Sequence, residues 1–176
     1  MLKKSSGSLG IIFIILGLAV LAQTAAGVDT KDTRLFTQPA ISPSQIAFVY
    51  ANNLWVADTD GRNPRQITTD VGVETGPAFS PDGKWIAFSA QYEGNMDVYI
   101  VSAAGGVPKR LTWHPGVDIA QGFAPDGTSV YFVSIRSMAT PGTGKLYRVS
   151  VEGGFPEEFK IPSIRRAALS PDGQYI

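Results

Sequence analysis

Cysteine is absent from this 176-residue chain, and histidine occurs once, as His114. Without cysteine there are no disulfides, no thiolate metal sites and no residue to carry a lipoprotein lipid. A single histidine cannot build a histidine-rich zinc site. Neither charge is in excess, with 15 Lys and Arg against 15 Asp and Glu, so the basic footprint of a nucleic-acid binder is missing. No Gly-x-Ser-x-Gly elbow is present to hold a serine nucleophile. Apolar runs are also short for a membrane span. The longest, Leu9 to Ala22, has 14 residues, and a spanning helix takes about 20.

That run has a different use. Lys3 and Lys4 precede it and small residues follow, the charged, apolar, small-residue order of a secretory signal peptide. Residues 1–26 are therefore expected to be a signal helix, cleaved after Ala22 or Ala26, with an uncleaved membrane anchor as the alternative. The expected location is periplasmic or secreted, with membrane contact only through this segment. Without it the chain carries 13 basic and 15 acidic side chains, a net charge of −2. Residues 27–38 are polar, lack a period and read as a linker.

Hydrophobic residues make up 44% of the chain, enough for a core, and 19 glycines and 12 prolines punctuate it into many short elements, as in all-β proteins. One phrase recurs four times: Ile41-Ser42-Pro43-Ser44, Phe79-Ser80-Pro81-Asp82-Gly83, Phe123-Ala124-Pro125-Asp126-Gly127 and Leu169-Ser170-Pro171-Asp172-Gly173. Its Pro-Asp-Gly supplies turn chemistry. In the second copy Lys84–Ser89, Asp97–Ser102 and Lys109–Thr112 then read as three further strands. The third-strand aromatic recurs as Trp55, Tyr99 and Tyr147, and Pro64, Pro108 and Pro156 follow at intervals of 44 and 48 residues.

Four antiparallel strands at this period describe one blade of a β-propeller. The expected fold is all-β: a partial propeller of three four-stranded blades (39–68, 76–112, 120–160) and the start of a fourth (166–176). Ile86 and Phe88 should face one neighbouring blade, Trp85 and Ala87 the other. Propellers close with about 4–8 blades, so residues 39–176 are expected to be part of a larger ring, and residues 27–176 alone to be molten or aggregated.

The search for chemistry returns no catalytic, cofactor-binding or metal-binding residue and no cofactor. His114 reads as a loop histidine between blades, or else as a residue of the axial channel or rim. Asp58-Thr59-Asp60-Gly61-Arg62-Asn63 resembles half a calcium loop, but its glycine comes fourth and Thr69 stands where a glutamate is required; it reads as a hairpin turn. Gly142-Thr143-Gly144-Lys145 fails the phosphate-loop pattern at Ala139 and Leu146 and also reads as a turn. Trp55, Trp85, Tyr99, Tyr131 and Tyr147 could form a carbohydrate platform, but their regular places in strands favour packing between blades.

Phe79-Ser80-Pro81-Asp82-Gly83-Lys84-Trp85-Ile86-Ala87-Phe88 is similar to the repeat shared by TolB-type propellers and the N-terminal propellers of several peptidases. Leu111-Thr112-Trp113-His114-Pro115-Gly116, leading into Gln121-Gly122-Phe123-Ala124-Pro125-Asp126-Gly127, together with Val151-Glu152-Gly153-Gly154-Phe155-Pro156, resembles more closely the start of a bacterial tricorn-type protease. The resemblance implies a six-bladed N-terminal propeller, a second propeller, and a PDZ domain between serine-protease domains. The family's catalytic residues lie in its C-terminal half and match no position here. What it implies for this chain is a scaffold and gate for peptides passing along the propeller axis, with a homo-oligomer possible for the full-length protein. The alternatives are a TolB-like protein-binding propeller, or the N-terminal propeller of an exported amidohydrolase or dipeptidyl-peptidase-type enzyme.

Overall fold

A computed structural model of the chain describes residues 36–136, 143–170 and 172–176. Residues 1–26, read as a signal helix, and the expected linker as far as residue 35 lie outside them. The described residues contain twelve strands and no helix. They form three four-stranded antiparallel sheets, each running outward in chain order. The first blade is β1 (Phe36–Ile41), β2 (Gln45–Tyr50), β3 (Asn53–Asp58) and β4 (Arg65–Gln66). The second is β5 (Glu74–Phe79), β6 (Trp85–Ala90), β7 (Asp97–Ser102) and β8 (Lys109–Arg110); the third is β9 (Asp118–Phe123), β10 (Ser129–Ser134), β11 (Lys145–Ser150) and β12 (Glu157–Glu158). The blades are those read from the repeat, but each first strand begins two or three residues earlier, so β1 takes in residues 36–38 of the segment read as linker.

The repeated phrase forms the turn between first and second strands. In the second blade the Ser80 amide donates to the Trp85 carbonyl (2.8 Å) and the Trp85 amide to Ser80 Oγ (2.9 Å). Asp82 accepts from Ser80 Oγ (2.6 Å) and the Lys84 amide (3.1 Å). Gly83 sits at φ 71°, a conformation in which a side chain is strained. Gly127 and Gly173 repeat it at 73° and 72°. The Ser170 amide donates to the Tyr175 carbonyl (3.0 Å) as Ser80 does to Trp85, so the last residues enter the same turn. The first repeat lacks Asp-Gly and closes a shorter turn: the Ser42 amide donates to the Gln45 carbonyl (2.8 Å), while Ser42 Oγ accepts the Gln45 amide (3.0 Å).

Alternation along each strand divides the core between blade junctions. Ile86, Phe88, Tyr99 and Val101 pack against Ala47, Leu54 and Val56 of the first blade. Ala87, Val98 and Ile100, on the opposite face, pack against Val130, Phe132, Tyr147 and Val149 of the third. The far face of the third blade is covered by Phe159, Ile161, Ile164, Ala167 and Leu169. Both faces of the middle blade are thus apolar and covered, which explains why its strands show little polar alternation. Phe88, Phe132, Leu54 and Ile86 are fully buried, each worth roughly 1.5–3 kcal/mol relative to exposure.

Candidate functional site: the axial strands and the charged junctions

The first strands stand side by side, β1 against β5 and β5 against β9, so they line the axis and the two-residue fourth strands form the rim. Each first strand carries an irregularity in its register with the second. In the first blade it falls at Gln38, with φ 54°. Gln38 Oε1 accepts from Thr75 Oγ1 (2.5 Å) and from the Gly76 amide. Gln121, at the irregularity of the third blade, likewise accepts the Ala167 amide (2.9 Å). A side chain on one axial strand therefore fastens the backbone of the next. Gly76 has φ 65°, and a Cβ there would lie 3.4 Å from the Ala120 carbonyl oxygen; both the conformation and the approach favour glycine.

The Ile164 amide donates to the Gly144 carbonyl (2.8 Å), just as Glu74 does to Asn52 and Asp118 to Met96. Residue 164 therefore begins the axial segment of the fourth repeat, and Arg165 and Arg166 follow on it. Both are exposed, and neither side chain has an ion pair or hydrogen bond among the described residues.

Carboxylates occupy the blade junctions, where strands 1 and 3 begin. Glu74, Asp97 and Asp118 are all buried. Glu74 accepts from Thr68 Oγ1 (2.7 Å) and from the Tyr92 hydroxyl, and Thr68 Oγ1 accepts the Leu54 amide (2.9 Å). Burial pushes the Glu74 carboxyl above the usual range, against the opposing effect of those hydrogen bonds, and burial also raises the Tyr92 hydroxyl. One blade further on, Thr112 Oγ1 accepts the Val98 amide (3.0 Å) but donates to Asp97 (3.1 Å). Arg110 pairs with Asp97 (2.6 Å) and with Glu93, and lies over Trp113. Burial raises the Asp97 carboxyl, and Thr112 and Arg110 pull it back. Arg136 pairs with Asp118 (2.6 Å) and lies over Phe132 and Tyr147.

His114 Nδ1 accepts the Gly116 amide (2.9 Å), and its carbonyl accepts Asn95 Nδ2 (2.7 Å). It holds a loop between blades and borders a cleft of about 430 Å3 with Leu111, Trp113, Arg136 and Phe155. The acids of the calcium-like turn are engaged by neighbours: Asp58 by Asn63 (2.7 Å) and Asp60 by Arg62 (2.6 Å). Lys145 opens β11 and donates to the Ile161 carbonyl (3.0 Å); Gly142 lies outside the described residues. Trp55, Tyr99, Tyr131 and Tyr147 are buried, but Trp85 is 44% exposed beside Ile100, Lys109 and Phe123. It opens its strand at the turn, on the side that faces the third blade, where it shares an open cleft with Phe123 and Val151.

The buried acids were not anticipated, although a signal existed: Glu74 and Asp118 each stand six residues before the Ser80 and Ala124 turns, and Thr68 and Thr112 are 44 apart.

The sequence profile of the tricorn protease N-terminal beta propeller domain matches residues 33–176. The chain belongs to that family. The Tol-Pal system protein TolB of Desulfosudis oleivorans is 35% identical over 66 residues, covering 35% of this chain and 15% of that protein. TolB from Acinetobacter baumannii superposes with a TM-score of 0.66 at 30% identity, over 79% of this chain and 36% of that one. The tricorn protease superposes with a TM-score of 0.59 at 28% identity, over 68% of this chain and 12% of that one. The chain thus spans little more than a third of these relatives' length at most.

Proposed function

We propose that this tricorn-type propeller serves an exported serine peptidase as scaffold and gate, and that peptides pass along the axis formed by β1, β5, β9 and the 164–169 segment. The observation that carries this reading is the match of residues 33–176 to the tricorn protease N-terminal beta propeller domain; Arg165 and Arg166, on the axial segment, are the candidate contacts for a peptide. Two adjacent guanidinium groups attract carboxylates of a passing peptide and can hold one bidentately. The axial strands meanwhile are tied to one another by Gln38 and Gln121, which suits a fixed wall. Export rests on the charged, apolar, small-residue order of residues 1–26 and favours a periplasmic place of work.

The test is peptide hydrolysis by the full-length protein with Arg165→Ala and Arg166→Ala together. KM for anionic peptides should rise several-fold with kcat nearly unchanged, as expected when uniform binding is removed. An unchanged KM would remove the arginines from the path. The second reading, a TolB-like protein-binding propeller, is favoured by the 35% and 30% identities to the two TolB proteins. It predicts no peptidase activity in the full-length protein and a stable protein partner instead. Dipeptidyl peptidase 4 of Porphyromonas gingivalis, at 17% identity, speaks for the fold alone.

A further inference from the structure

Two loose ends face one another at the junction of the second and third blades. Asp118 is fully buried and paired with Arg136 through Oδ2, yet its Oδ1 has no hydrogen-bond partner. Ser134 is also fully buried and is the register partner of Asp118 on the adjacent strand β10. Its Oγ accepts from the Arg136 amide (3.2 Å) and from Arg136 Nε (2.8 Å). Among the described residues it donates its own proton to nothing. One blade earlier the equivalent acid is satisfied at both oxygens: Glu74 takes Tyr92 at Oε1 and Thr68 at Oε2.

The difference has two causes in the sequence. Asp118 is one methylene shorter than Glu74. And the threonine that should reach it, Thr112, donates to Asp97 (3.1 Å); the equivalent of Asp97 in the first blade is Asn53, whose amide turns to the Ala51 carbonyl (3.1 Å). A buried carboxylate oxygen without a donor is costly, and such orphan groups are where internal water binds.

We propose that the junction of blades 2 and 3 holds one buried water, which accepts from Ser134 Oγ and donates to Asp118 Oδ1. A register pair on adjacent strands has Cβ atoms about 4.5–5.5 Å apart, the spacing that a single water bridges with two ordinary hydrogen bonds. Charge does not call for a cation: Asp97 and Asp118 are matched by Arg110 and Arg136. The junction of blades 1 and 2, where Glu74 is fully partnered, is dry at the equivalent place. The water also holds the Asp118 carboxylate in the orientation that clamps Arg136 over Phe132 and Tyr147.

The experiment is a high-resolution crystal structure of the full-length protein, from crystals grown once in sodium and once in rubidium, and of its Asp118→Glu variant. Expected is a density peak about 2.6–3.1 Å from both Asp118 Oδ1 and Ser134 Oγ, with no rubidium anomalous signal. In Asp118→Glu the longer carboxylate should occupy the place and the peak should vanish. Three results overturn the proposal: no peak in the parent protein, a rubidium signal at the site, or Ser134 Oγ bonded directly to Asp118. The parent structure decides these alone should the variant fail to fold.

Discussion

Replacing Arg110 by methionine isolates what the buried ion pair does for the fold. The stem of Arg110 is mostly buried, with the side chain 16% exposed, and Asp97 is 1% exposed. Methionine keeps much of the apolar packing and removes the charge. Asp97 then has Thr112 as its remaining side-chain donor. Removing one partner of a buried pair costs about 3–5 kcal/mol because the other charge is stranded. The loss of the exposed Glu93 contact adds less, about 0–1 kcal/mol.

The pH dependence gives the sharper test. Burial already raises the Asp97 carboxyl in the folded protein, and Arg110 is one of the groups that pulls it down. In the variant it rises further. The folded state then binds a proton that the unfolded state has released, so stability falls as pH rises through the folded-state pKa. Below that pKa, toward the unfolded value near 3.9, the stranded charge is neutralised and the penalty shrinks. Urea unfolding of the full-length protein at pH 5 and pH 8 should therefore show a larger loss at pH 8. Adding Asp97→Asn should restore most of it. A loss below about 1 kcal/mol at pH 8 would refute the claim that Asp97 depends on Arg110, as would a loss independent of pH.

Glu74→Gln acts in the opposite direction, by removing a titrating group. Its carboxyl is raised by burial, so in the parent protein its contribution weakens as pH climbs through the folded-state pKa, and the amide should flatten that slope in urea midpoints measured across pH. Gly76→Ala should lower stability by about 1–3 kcal/mol, since φ is 65° and the new methyl meets the Ala120 carbonyl at 3.4 Å; an unchanged melting temperature would contradict it. Phe132→Ala, which deletes a fully buried ring stacked on Tyr147 at 5.6 Å, should cost about 3–5 kcal/mol, read by the same unfolding assay.

The blades were legible because their signals are local. A proline marks each turn, with a glycine in all but the first, and the strands that follow are apolar on both faces, as Ile86, Ala87 and Phe88 show. The face each would take followed from alternation alone. Trp85 takes the expected side, toward Phe123 and Val151 of the third blade, but at the mouth of the turn it stays 44% exposed. The charged junctions were harder to read. Glu74, Asp97 and Asp118 look like any surface acid in sequence, and their partners lie 6 to 18 residues away, in β8 or just past the ends of β4, β6 and β10. Folding of one blade against the next is what converts them from solvated to buried groups. Arg165 and Arg166 were similarly silent, since their meaning comes from the axial place that the Ile164 and Ala167 hydrogen bonds give them.

A cryo-electron microscopy map of the full-length protein bears most directly on the claim that this propeller gates a peptidase. Expected are β1, β5, β9 and the 164–169 segment lining an open axial channel, with Arg165 and Arg166 on its wall, leading to a chamber that contains a serine-protease site. A propeller whose axis is closed, or a protein with no hydrolase domain beyond it, would contradict the gating role and favour the protein-binding reading.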